Sequence, residues 1–360
     1  MAEGIGCLWE KTAQAPERHP YFRVHGHREV PVVVVGGGFT GLSTALHLAE
    51  AGAGEVVLIE AARIGYGASG RNNGQVIPTL SRIDPDDFVA RFGEARGTRF
   101  AHLVRDSAAY LFDLVRRHEI DCDAVQAGWV QPAHRPSRLK LSESRVRQWQ
   151  KMGADVELLD RQRMAEVLGT DAYHGGWLAA TGGHVNPLGL ARGLAKACAA
   201  QGVEIYENTP LMFLQPQQKR WRITTPHGTF LADQVVLATA AYTAGRLGRL
   251  KASFLPYRSY QCATAPLDGQ TRSVVLRHNH AMSDTRGDLR FAHYDRDGRL
   301  VVGGALVFTW NDAARLGRQV QAKLAETFPT IGEVDIETVW HGQFALTRDG
   351  FPKLFEMGPG

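Results

Sequence analysis

Apolar positions fall into two patterns along the chain. Val32–Val35 is an unbroken β-branched run ending in glycines, Leu42–Ala51 has helical spacing, and Val56–Ile59 is a second apolar run of strand length. Strand, helix and strand within about thirty residues fit a parallel crossover. From Asp84 to Met152 the pattern is helical and charged, with Phe88, Phe92, Phe100, Leu103, Tyr110, Leu111, Leu114 and Val115 expected to face the core. A helix over Asn186–Ala200, with Pro187 at its start, precedes a strand at Val203–Tyr206. Trp221–Thr225, Phe230–Ala232 and Val235–Thr239 read as a β-meander leading into a buried strand, and Tyr257–Val307 is strand-rich, with turns at Asp268-Gly269 and Asp297-Gly298. Residues 1–29, polar and irregular around Pro16, Pro20 and Gly26, read as a surface arm.

With 360 residues, 44% of them hydrophobic, the chain has enough material for one or two joined domains. Its 41 basic and 37 acidic residues are dispersed, without the Lys/Arg block that tracks nucleic acid, so no nucleic-acid partner is expected. Cys7, Cys122, Cys198 and Cys262 lie far apart, which argues against a zinc site or a disulfide framework and for reduced thiols. No apolar run approaches the roughly 20 residues of a membrane helix, and no basic-then-apolar leader opens the chain. A cytoplasmic protein without a metal is the expectation.

The chemistry-bearing motif is Gly36-Gly37-Gly38-Phe39-Thr40-Gly41, which contains GxGxxG between a predicted strand and a predicted helix. Gly36 permits the tight turn, Gly38 the close approach of a pyrophosphate, and Gly41 the packing of helix on strand, while amides at the helix start meet the negative charge. Glu60 ends the second strand, where a carboxylate accepts hydrogen bonds from ribose hydroxyls. These residues imply a bound dinucleotide and leave FAD and NAD open, because both carry the part they grip. The following segment, Arg63 to Gln75, has four glycines, small residues and two arginines, and such a loop approaches the rest of a cofactor closely. An NAD domain would continue instead with a second ordinary crossover helix.

Val32–Ala45, followed by Gly67-Ala68-Ser69-Gly70-Arg71-Asn72, resembles the D-amino-acid oxidase superfamily of FAD-dependent oxidoreductases, and within it the gamma-glutamylputrescine oxidoreductase group. Leu8-Trp9, Gly182–Pro187, Val236–Thr239 with Ala241-Tyr242-Thr243, and Gly298–Gly304 extend the likeness over most of the chain. The resemblance implies an α/β plus antiparallel β fold: a Rossmann-type FAD-binding domain, three-layered and glutathione-reductase-like, interrupted by a sheet-containing substrate domain. The expected division is an arm at 1–29, a discontinuous FAD domain at 30–85, 165–245 and 335–360, and a substrate domain at 86–164 and 246–334. The resemblance places a backbone amide near Thr209-Pro210 beside the adenine and returns Ala238-Thr239 to the cofactor. The FAD contacts are thus expected at Gly36, Gly38, Phe39, Thr40, Gly41, Glu60, Ala61, Arg63, Ala68, Ser69, Gly70, Arg71, Asn72, Thr209, Pro210, Ala238 and Thr239.

Two departures stand out. Ala240 occupies a position where the family usually has Gly or Asn, and the chain stops at Gly360, before the family's last flavin-binding turn and helix, so a truncated, flavin-poor form is one expectation. In this family a hydride equivalent leaves the carbon next to a neutral amine for the flavin, and the imine is hydrolysed; no catalytic side chain is required, and no Ser/His/Asp or HExxH pattern occurs. The substrate is expected to be a small amine or amino acid, gamma-glutamylputrescine or a relative of it, with oxygen or another carrier as acceptor. Arg71, His184, Tyr257, Arg258, Tyr260, Arg290, Tyr294 and Arg348 are the candidates for substrate contact, arginines for a carboxylate and aromatics beside an amine. A same-fold dehydrogenase and a non-enzymatic binding module are the alternatives.

Overall fold

The computed structural model describes residues 6–14, 26–81, 83–243, 247–286, 290–305 and 313–356. Its first sheet has six strands in the spatial order Glu204–Tyr206, Val56–Ile59, Gly26–Val35, Gly228–Leu237, Arg220–Thr225, Phe213–Gln217. The first four run parallel and the last two return antiparallel. Val35 pairs with Ile59 on one side and Leu237 on the other. The valine run is unbroken because both faces are buried. Val32 and Val34 pack with Leu42, Leu46, Ala191 and Leu194 of the helices Phe39–Glu50 and Pro187–Ala200, while Val33 and Val35 pack with Tyr206, Ile223 and Phe230. The first of these helices starts earlier than its apolar spacing predicts, because Gly38 already serves as the N-cap. Asn186 caps the other, its Oδ1 accepting from Gly189 N at 3.0 Å.

The second sheet has eight strands in the order Ile336–Leu346, Leu255–Pro266, Arg299–Ala305, Phe291–Tyr294, Ala281–Ser283, Trp129–Pro132, Gly176–Ala179, Val156–Leu159. All neighbours are antiparallel except Ala281–Ser283 with Trp129–Pro132. One face carries Tyr260, Cys262 and Val302 against Val320, Leu324 and Phe328 of the Ala313–Thr327 helix and the residue after it. The opposite face carries Ala263, Val301 and Trp340 against Cys7, Leu8, Trp9 and Leu188.

Several expectations are corrected here. The expected surface arm contains a core element: Cys7, Leu8 and Trp9 are buried at the short helix Leu8–Thr12, and Gly26–Glu29 lengthen the first strand. The rest of that arm lies largely outside the described residues, as does Val307. The expected meander strands Phe230–Ala232 and Val235–Thr239 form one strand, Gly228–Leu237. Phe92, Leu103 and Tyr110, expected in the core, are 37%, 70% and 49% exposed. Leu114 and Val115 are buried as expected, and the Glu94–Arg117 helix also buries Gly97, Ala101, Val104, Ala108 and Phe112, completing an i, i+4, i+7 stripe whose small residues hide it from hydrophobic counting. Asp268-Gly269 opens a short helix rather than a hairpin, Asp268 accepting from Thr271 N at 2.8 Å. Gly176–Ala179 and Ile336–Leu346, inside segments expected in the FAD domain, are strands of the second sheet. Among the described residues no helix is long and apolar enough to cross a membrane.

Candidate functional site

The parallel strands end at a cavity of about 830 Å³ lined by Gly36, Gly38, Glu60, Ala61, Ala68, Ser69, Thr209, Pro210, Ala238 and Thr239, together with Tyr66, Leu211, Met212, Phe213 and Tyr242. Close backbone packing makes its floor. Gly36 has φ +115°, and a Cβ there would lie 2.7 Å from Ala238 O; a Cβ on Gly41 would lie 1.9 Å from Gly36 O. Each glycine of the motif thus has its own steric reason. Ser69 Oγ accepts from Phe39 N at 2.9 Å, joining the second glycine loop to the start of the helix.

Glu60 accepts from Gly37 N at 2.6 Å through Oε2 and from Ala62 N at 2.8 Å through Oε1. Burial raises its pKa, and these amides, Ala62 first, pull the other way. Thr209 and Pro210 line the cavity; the Thr209 N–H donates to Glu60 O at 2.8 Å and Pro210 has none. Ala240 has φ +43°, in the left-handed region, which accounts for the expectation of Gly or Asn there. Ala240→Gly is expected to raise the unfolding free energy by about 0.5–1 kcal/mol in urea titrations, relief of strain outweighing the added chain entropy; an unchanged or lower midpoint would refute this.

The remaining expected cofactor residues do not line this cavity. Phe39 packs against the core beside Leu42, Thr40 and Arg63 are exposed, and Gly41 and Gly70 are buried against backbone. Asn72 Nδ2 donates to Ala68 O at 3.2 Å and to Ser69 O at 2.9 Å, and its Oδ1 accepts from Gly74 N at 2.8 Å, so it shapes the turn. Arg71 Nε donates to Tyr66 O at 2.8 Å, with the guanidinium carbon 4.9 Å from the Tyr66 ring centroid.

The expected substrate residues separate. A Cβ on Gly342 would lie 3.3 Å from Arg71 Cβ, so this face of the second sheet meets the turn; Phe344, paired with Tyr257, lies two residues further along the same face. Their rings meet edge-on at 5.4 Å. Arg258 and Tyr260 fall on the opposite face because strand side chains alternate, Tyr260 being buried in the core there. Arg290 is committed to the Ala313–Thr327 helix, through Glu326 at 2.8 Å and Thr327 Oγ1 at 3.0 Å. Arg348 is exposed. His184 and Tyr294 border a different cavity, of about 740 Å³, with Asp121, Arg272 and His293. Tyr294 is tied down, its hydroxyl donating to Val275 O at 2.9 Å. His184 is buried 4.4 Å from the His293 ring, its Nε2 3.1 Å from Asn279 Oδ1, and burial with the neighbouring His293 lowers its pKa to about 3.

Comparison with known proteins resolves the choice of dinucleotide. The family described as DAO, FAD dependent oxidoreductase, matches residues 31–359. The chain belongs to this family. Gamma-glutamylputrescine oxidoreductase of Escherichia coli (strain K12) is 33% identical over 350 residues, covering 95% of this chain and 80% of that one. Glycine oxidase of Bacillus licheniformis is 25% identical, covering 89% and 83%. Among solved structures, glycine oxidase from Geobacillus kaustophilus superimposes with a TM-score of 0.73 at 23% identity, covering 92% of this chain and 86% of that one. This DAO family member is therefore an FAD-dependent amine or amino-acid oxidoreductase. The cavity chemistry agrees, with a glycine cradle and helix start for a pyrophosphate and a strand-end carboxylate for a ribose. Sequence reasoning missed Tyr66, Met212 and Tyr242 in the lining; Met212 and Tyr242, 47% and 44% exposed, leave their signal only in the folded chain.

Proposed function

We propose that this chain oxidises a primary or secondary amine at the carbon next to nitrogen, with gamma-glutamylputrescine or a related amine as substrate. The observation that carries this is the 33% identity with a gamma-glutamylputrescine oxidoreductase along 95% of the chain, joined to a glycine-floored cavity whose Ala68 lies against Gly342 of the sheet that carries Tyr257 and Phe344. FAD, when bound, supplies the hydride acceptor. In this reading Glu60 receives the ribose hydroxyls, exchanging part of its present hold on Gly37 and Ala62, and the start of the Phe39–Glu50 helix receives the pyrophosphate. Ala68–Asn72 lead from there toward the second sheet, so the unit around the first sheet holds the cofactor and the second sheet provides the substrate wall.

Tyr257 and Phe344 form that wall. An apolar surround favours the neutral amine, the form that releases a hydride equivalent, over the ammonium. Arg71 Nη1 and Nη2 have no hydrogen-bond partner among the described residues, and a substrate carboxylate would take them as a forked pair. The test is to purify the chain with FAD, record its visible spectrum, and add a panel of amines without oxygen. Bleaching of the flavin band by gamma-glutamylputrescine but not by glycine is the expected result, and peroxide release on admitting air identifies oxygen as acceptor. Bleaching by simple amino acids alone would overturn the substrate assignment, and a colourless protein that takes up no FAD would overturn the whole reading.

A further inference from the structure

Three successive carbonyls in the last turn of the second glycine loop are each met by a ring N–H from a distant part of the chain. Trp340 Nε1 donates to Arg71 O at 3.0 Å, and Trp9 Nε1 donates to Asn72 O at 2.8 Å. His293 Nε2 lies 2.5 Å from Asn73 O, the shorter of its two carbonyl contacts, and the ring proton is assigned there. All three side chains are buried. They pack on one another: Trp9 lies parallel to His293, interplanar angle 7°, with centroids 6.2 Å apart, and edge-on to Trp340 at 5.9 Å.

We propose that Trp9, His293 and Trp340 are positioning residues that turn these three carbonyls inward and so aim the Asn73 N–H at an acceptor atom of the bound FAD. The geometry follows from the trans peptide, in which the carbonyl of one residue and the N–H of the next point in opposite directions. Holding the carbonyls of 71, 72 and 73 against the aromatic cluster turns the amides of 72, 73 and 74 away from it. Two of those amides are occupied within the turn, Asn72 N by Ala68 O and Gly74 N by Asn72 Oδ1. Asn73 N has no partner among the described residues, and the residue is only half-buried. An unpaired donor fixed beside a cofactor loop is a site for an acceptor, and fixing it in advance removes the ordering cost of binding.

The inference rests on the reading that this turn faces FAD, and its test separates the two. Hydrogen exchange of the wild-type chain is compared with and without FAD, and FAD affinity is measured by flavin fluorescence for wild type, Trp9→Phe and Trp340→Phe. Phenylalanine keeps a ring in the cluster and deletes only the N–H. The Asn73 amide is expected to exchange freely without FAD and to slow at least about tenfold with it. Each variant is expected to bind FAD about tenfold more weakly and to exchange faster over 71–74, while amides of the Phe39–Glu50 helix stay as in wild type. If the wild type binds no FAD, the functional reading fails. If it binds FAD while Asn73 exchange is indifferent to it, or if the folded variants bind FAD as wild type does, the clamp alone is overturned. The wild-type comparison decides this even where a variant does not fold.

Discussion

Gly41→Val is expected to give a chain that carries no flavin and unfolds at least about 4 kcal/mol more readily than wild type. The cause is local and backbone-made. A Cβ at residue 41 would lie 1.9 Å from Gly36 O and 3.1 Å from Gly36 C, so no side-chain rearrangement relieves it. Either the Phe39–Glu50 helix lifts from the first strand, exposing Leu42 and Leu46, or the Gly36 turn opens. Both outcomes remove the cradle at the strand ends. Gly52→Ala is the matched control. That residue has φ +71° with nothing within 4 Å of its would-be Cβ, so the change costs about 1 kcal/mol of backbone strain and leaves FAD uptake intact. Urea midpoints and flavin absorbance per chain measure both. A folded, fully yellow Gly41→Val protein would show that the steric account is wrong.

The second large effect is with acid. His184 titrates near 6.5 in an unfolded chain and near 3 in this structure, where burial and then the adjacent His293 hold it neutral. A depressed histidine binds its proton in the unfolded state first, so its contribution to stability is complete above about pH 6.5 and is lost progressively as the pH falls toward 3. Between pH 6.5 and 4.5 the loss amounts to about 2–3 kcal/mol from this residue. His280, lowered to about 4 by burial, adds to the same limb. His184→Gln keeps an amide that can reach Asn279 and removes the titration. It is expected to lower stability modestly at pH 7.5 while flattening the fall between pH 6.5 and 4.5. Urea unfolding across that range is the measurement, and an acid limb as steep in the variant as in wild type would assign the effect elsewhere.

What sequence reading could and could not see follows from the range of the interactions. Val32 to Glu60 is legible because its signals are local: a β-branched run buried on both faces, glycines at turn spacing, and an acid at a strand end. Tyr257 and Arg258 looked equivalent in sequence, and only the pairing of Tyr257 with Phe344 shows which of them shares a face with Gly342. Arg290 looked available until the Ala313–Thr327 helix placed Glu326 beside it. The buried stripe of the Glu94–Arg117 helix was obscured because Gly97, Ala101 and Ala108 carry little apolar weight while exposed Leu103 and Tyr110 carry much. Trp9 offered no hint of its partner, since its carbonyl acceptor lies 63 residues along the chain.

The pairing of Val35 with both Ile59 and Leu237 also sets an order of events during synthesis. The glycine turn and its helix can form once residue 60 has emerged, but the strand that closes their other side comes roughly 180 residues later. At about 5–20 residues per second that interval is on the order of ten to thirty seconds. Through it, the N-terminal crossover has a long hydrophobic strand with one hydrogen-bonding edge open, the condition in which nascent chains pair with the wrong neighbour. Non-local closure of this kind makes folding slow by its topology alone. A chain whose cofactor cradle is assembled from both ends of a long interval thus matures only late, and the nascent strand is the part that chaperones have most reason to hold.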